Sequence, residues 1–103
     1  MDREQDDIIR RFSRAVKEKY PDANVYLFGS RARGEHLKRS DYDFIIVSKA
    51  FEGTPTPRRL EQVYQLWDED YNADILPYTP EELERQSKLL TIAGKAMQEA
   101  VEI

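Results

Sequence analysis

From Arg3 to Tyr20 the apolar residues Ile8, Ile9, Phe12, Val16 and Tyr20 recur at helical spacing with charges on the opposite face, and Pro21 stops the pattern. This predicts an amphipathic helix. After the turn Pro21-Asp22, the run Asn24-Val25-Tyr26-Leu27-Phe28 is short, apolar and rich in β-formers, and Gly29 punctuates its end. It predicts a buried strand, as does Asp43-Phe44-Ile45-Ile46-Val47. A polar, mostly basic connection joins the two. Phe51 to Pro57, with Gly53, Pro55 and Pro57, reads as an exposed loop. Leu60, Val63, Tyr64, Trp67 and Tyr71 then fall on one face of a second helix. Ala73-Asp74-Ile75-Leu76 reads as a third strand ended by Pro77. Thr79-Pro80-Glu81-Glu82 has the N-cap, proline and acids of a helix start. Leu83, Leu90, Met97 and Val101, with Ala93 and Ala100 beside them, give a last helix that runs nearly to the end. The expected order is helix, strand, strand, helix, strand, helix.

A chain of 103 residues is one domain of ordinary size, spanning 1–103, with little room for a second substrate-binding unit. A net charge of −4 and a pI near 5.0 disfavour broad electrostatic binding to nucleic acid. No window approaches the roughly 18 apolar residues of a membrane span, and MDREQDD is acidic where a signal peptide is basic. The expected location is the cytoplasm. Without cysteine there are no disulfides and no thiolate zinc sites, so any metal must be held by oxygen.

The candidate chemistry lies at the strand ends. Because side chains alternate along a strand, Asp41 and Asp43 share a face if the strand begins by Asp41. Two carboxylates in one small volume repel, and a hard divalent cation resolves the repulsion. Mg²⁺ prefers one or two carboxylates plus water and phosphate oxygens. Asp74 is an acid among apolar neighbours. If the third strand lies beside the second, it reaches the same face as a third metal ligand and as base for an acceptor hydroxyl. Gly29 lets the backbone approach an anion, Ser30 adds a hydroxyl for phosphate oxygens, and a short helix after them would aim its N-terminus at the same oxygens. Between Ser30 and Ser40 four cations stand against the single acid Glu35, a local reversal of charge that fits a triphosphate. Arg31 and Arg33 are the better phosphate candidates, since a guanidinium offers two parallel donors.

Gly-Ser, ten intervening residues, Asp-x-Asp and a later strand carboxylate together resemble the active-site pattern of the DNA polymerase β-like nucleotidyltransferase superfamily. Gly29-Ser30-Arg31-Ala32-Arg33-Gly34-Glu35, continuing to Ser40-Asp41-Tyr42-Asp43-Phe44, is especially similar to its minimal branch, the MNT-type antitoxins whose operon partners are HEPN-domain toxins. The resemblance implies an α+β fold, with a small mixed sheet of three to four strands and helices on one face. It implies Mg²⁺ on Asp41, Asp43 and Asp74, and nucleoside triphosphate on Gly29 and Ser30. It further implies transfer of AMP from ATP to tyrosine of a HEPN-type partner, with an antitoxin role. Arg33 and Glu35 match the extended motif. The alternatives are a non-catalytic antitoxin that neutralises its partner by complex formation, and a transferase acting on a small molecule or RNA.

Other residues take the plainer reading. His36 is expected to be exposed, Trp67 and Tyr64 to be core, and Tyr42 and Tyr26 to pack rather than flank a nucleotide. Tyr78 would sit near the site mouth if the third strand ends there. The stripe Leu83, Leu90 and Met97 is expected to be core.

Overall fold

The computed structural model describes residues 3–89 and 91–103. Helix α1, Arg3–Lys19, buries Ile8, Ile9, Phe12 and Val16, the stripe read from the sequence. Tyr20 closes it, its N–H donating to the Val16 carbonyl at 2.7 Å. Strand β1, Asn24–Phe28, leads directly into the five-residue helix α2, Gly29–Arg33. Strand β2, Tyr42–Val47, is followed by a 3₁₀ turn over Lys49–Phe51. Helix α3 is Thr56–Tyr64, β3 is Ala73–Tyr78, α4 is Pro80–Ser87, α5 is Ile92–Glu99 and β4 is Val101–Glu102.

The sheet is mixed, in the order β3-β2-β1-β4. β1 runs antiparallel to β2 and to β4, whereas β2 and β3 are parallel, joined by the crossover through α3 that a parallel pair needs. Strand alternation sends Val25, Leu27, Tyr42, Phe44, Ile46 and Ile75 to one face, where they pack with α1 and with Val63 of α3. Trp67 joins this core edge-on to Phe12, with ring centroids 5.2 Å apart. Tyr26, Phe28, Ile45, Val47, Leu76 and Tyr78 occupy the opposite face under Leu83, Ala96 and Met97. Helices therefore lie on both faces and not on one, because these alternating positions are themselves apolar and need cover.

Several elements depart from the sequence-based expectation. Phe51 is buried at the end of the 3₁₀ turn, and Pro57 lies in the first turn of α3, so the loop is shorter than Phe51 to Pro57. α3 stops at Tyr64, and Trp67 and Tyr71 reach the core from the segment after it.

Pro77 does not end β3. Its strand is an edge, its missing N–H faces away from β2, and its carbonyl accepts from Arg59 Nη1 at 3.2 Å. The same edge is covered by Tyr64, whose hydroxyl donates to the Ala73 carbonyl at 2.8 Å and accepts from the Ile75 N–H at 3.2 Å.

The expected single last helix is two helices and a strand. α4 ends at Ser87, Thr91 caps α5 by accepting from the Gly94 N–H, and Val101 lies in β4, where it is exposed. The break depends on Gly94, where a Cβ would stand 2.4 Å from the Leu89 carbonyl oxygen and 2.7 Å from that of Gln86. Leu90 lies outside the described residues.

Candidate active site

Parallel pairing sets Asp43 of β2 opposite Asp74 of β3, and antiparallel pairing sets Asp43 opposite Phe28, the last residue of β1. Asp43 thus sits where β1 hands over to α2. Gly29 makes that approach possible: its φ is +75°, and a Cβ there would stand 2.3 Å from Asp43 Oδ2. Among the described residues, this contact is what ties the Gly-Ser pair to the Asp-x-Asp pair.

Asp43 is half-buried, and Asp41, just ahead of β2, and Asp74 are exposed. The Asp43 carboxyl is pushed up to about 6, first by burial, then by the charges of Asp74 and Asp41 and by a hydrogen bond with Asp74; the charge of Arg33 opposes the rise. The site therefore holds more negative charge than it can comfortably ionise. All of its donors are oxygens, which suits Mg²⁺, and a divalent cation would remove the repulsion that raises Asp43. The donor set fits the metal in chemistry. Among the described residues no three such side chains are already gathered as a finished cage, so Asp41, Asp43 and Asp74 form a set of available ligands and not a completed coordination shell.

The phosphate side is built by α2. Phe28, which has no acceptor to offer, stands at its N-cap, and Gly29 and Ser30 form its first turn beside Asp43. Gly34, with φ of 74°, ends the helix, its N–H donating to the Ser30 carbonyl. Arg33 projects toward the site. Its Nε donates to Glu35 Oε2 at 3.1 Å and its Nη1 to Glu99 Oε1 of α5 at 3.0 Å, with the side chain 42% exposed.

Arg31, expected from the sequence to meet phosphate, is instead engaged by the protein's own groups. It is 4% exposed, with its guanidinium over the Tyr42 ring at 3.8 Å. Its Nε and Nη2 both donate to the Ser40 carbonyl at 3.0 and 2.8 Å, Nη2 also donates to the Lys38 carbonyl at 3.1 Å, and Nη1 donates to Gln5 Oε1 at 2.9 Å.

Tyr42 is buried beneath Arg31, and Tyr26 packs half-buried on the site face. His36 is half-buried in the connection rather than exposed. Tyr64 is 40% exposed and serves the β3 edge instead of the core. Tyr78 lies at the far end of β3 from Asp74, about 13 Å along the strand, because the strand does not stop at Leu76. Glu99 was not singled out by sequence: it lies 66 residues from Arg33, and no local pattern connects them.

Comparison with known proteins agrees with this geometry. The family described as "Nucleotidyltransferase domain" matches residues 9–101. A protein of Methanocaldococcus jannaschii named "Putative protein adenylyltransferase" is 37% identical over 70 residues, covering 68% of this chain and 63% of that protein, so the match spans less than two thirds of the relative's length. A crystal structure described as a "putative nucleotidyltransferase" from Sulfolobus solfataricus superposes with a TM-score of 0.57 at 30% identity, over 76% of this chain and 75% of the other. A second structure of the same description shares the fold, with a TM-score of 0.55 at 24% identity over 78% of this chain and 87% of the other. With Gly29-Ser30 closing β1, the carboxylates of β2 and β3 gathered beside them, and a family match over nearly the full length, the chain belongs to the nucleotidyltransferase domain family.

Proposed function

We propose that the protein transfers a nucleoside monophosphate, AMP from ATP, to a hydroxyl of a separate protein, and that this acceptor is tyrosine of a HEPN-type partner toxin which the transfer silences. The observation that supports the chemistry best is Asp43, pressed against Gly29 and paired opposite Asp74 across β2 and β3, so that the anion-binding turn and two carboxylates meet. Gly29, Ser30 and the start of α2 bind the triphosphate, and Arg33 balances its charge. Asp41, Asp43 and Asp74 would hold Mg²⁺, which when bound neutralises phosphate charge. Asp74 takes the proton of the acceptor hydroxyl, the acceptor oxygen bonds the α-phosphorus, and the bond to pyrophosphate breaks. Positioning and electrostatics are the protein's contributions to such a reaction.

The protein acceptor draws support from the name of the M. jannaschii relative. The partner class and the antitoxin role rest on the motif resemblance. Incubation with labelled ATP, Mg²⁺ and the encoded operon neighbour tests the reading. Label on a tyrosine of that neighbour, lost with Asp41→Ala or Asp43→Ala, is the expected result. A tight complex without label would identify a binding-only antitoxin, and label on RNA or a small molecule would redirect the acceptor.

A further inference from the structure

We infer that Arg31 is a positioning residue for Asp41, clamping the peptide before it; the inference rests on the reading of Asp41 as a metal ligand. Two of the guanidinium's bonds converge on the Ser40 carbonyl, which belongs to the peptide whose N–H is that of Asp41. Ser40 is further pinned by a turn, its N–H donating to the Leu37 carbonyl at 3.1 Å and its Oγ accepting from the Leu37 N–H at 2.8 Å. On the other side of Asp41, the Tyr42 N–H donates to the Asn72 carbonyl at 2.9 Å. An exposed aspartate is thus held between two anchored peptides, one fixed by Arg31 and one by the segment entering β3. Arg31 is itself fixed between the rings of Tyr42 and Tyr71, at 3.8 and 5.4 Å, and by Gln5 of α1. It stands two residues after Gly29 on α2, so it carries the position of the Gly-Ser turn to the first carboxylate across the intervening loop. A lysine would keep the charge and lose the fork and the ring stacking.

The test titrates Mg²⁺ into full-length wild type, Arg31→Lys, Asp41→Asn and the double variant, each with a non-hydrolysable ATP analogue, at a temperature where all are folded. For Arg31→Lys the metal-free affinity stays at the wild-type level, while the Mg²⁺ concentration that half-tightens binding rises about tenfold, the usual size of an outer-shell effect on metal affinity. In the Asp41→Asn background the lysine adds nothing further. Loss of metal-free affinity would make Arg31 a phosphate ligand, and additive effects would make it independent of Asp41; either result overturns the inference. If wild type shows no Mg²⁺-dependent tightening, the metal reading itself fails. Hydrogen exchange of the ligand-free protein then decides the clamp alone: Arg31→Lys must loosen the amides of residues 37–42 while α1 stays protected, and unchanged exchange there overturns it. Should Arg31→Lys not fold, Gln5→Ala removes one anchor of the guanidinium and must shift exchange in the same segment in the same direction.

Discussion

Asp43 and Asp74 face each other across the parallel β2–β3 pair, so the charge of Asp74 bears directly on the Asp43 carboxyl. Burial, and then the charges of Asp74 and Asp41, favour a proton on Asp43. The folded protein therefore keeps the Asp43 proton to about pH 6, where the free side chain would lose it near 3.8. A proton bound more tightly in the folded state favours folding at low pH, and that contribution is lost as pH rises from about 4 to about 6. Asp43→Asn should match the wild-type stability at pH 4 and exceed it at pH 7.5, by about 1–2 kcal/mol after solvent screening. It should abolish transfer at both. Calorimetry at the two pH values checks this; an equal or lower value at pH 7.5 contradicts it.

Mg²⁺ should act on the same balance. Millimolar Mg²⁺ at pH 7.5 is expected to raise the melting temperature of wild type and leave that of the Asp43→Asn, Asp74→Asn double variant unchanged, because binding only to the folded state stabilises it. Equal shifts in the two proteins would place the ion elsewhere.

Gly29→Ala meets two obstacles, a left-handed φ of +75° and an Asp43 oxygen 2.3 Å from the new carbon. The expected cost is about 1–3 kcal/mol of stability, with nucleotide affinity reduced because Asp43 and the start of α2 must move apart. Denaturant unfolding and analogue binding measure both. Retention of full affinity would show that the close contact is not needed.

Glu82 gives the opposite pH signature, far from the site. Its carboxylate receives Arg59 Nη1 at 2.6 Å and the Thr79 N–H at 2.9 Å, and its pKa is pulled down to about 2, chiefly by the hydrogen bond from Arg59. The pair contributes stability fully above the ordinary value of 4.5, and that contribution is lost as pH falls toward 2. Glu82→Gln should cost about 1–3 kcal/mol at pH 7, much of it from leaving the buried Arg59 without its charge partner. The gap to wild type should narrow steadily below pH 4.5, with transfer unchanged while the protein is folded. Urea titrations at pH 7 and pH 3 read the difference.

What could be read in advance was local. β1 and the α1 stripe follow from five- to twenty-residue patterns, and the Gly-Ser and Asp-x-Asp pairs lie close enough in sequence for one turn and one loop to bring them together. The two arginines of α2 show where such reading stops. Residues two apart on a helix project about 200° from each other, so Arg31 and Arg33 cannot serve the same ligand, and only the tertiary setting reveals which is buried. Likewise the break before α5 comes from the approach of Gly94 to the Leu89 carbonyl, and Pro77 is tolerated because β3 lies at an edge. Both facts depend on how the chain folds back beside the residue, which composition and periodicity do not show.

The bonds from Tyr64 and Arg59 to the outer side of β3 make the two rims of the sheet unequal. With the Ala73 and Pro77 carbonyls and the Ile75 N–H already engaged there, an incoming strand would find an interrupted backbone ladder. Docking on this rim, beside the strand that carries Asp74, is therefore weighted toward side chains. An acceptor approaching from that side meets Tyr64 and Arg59 before it meets the sheet.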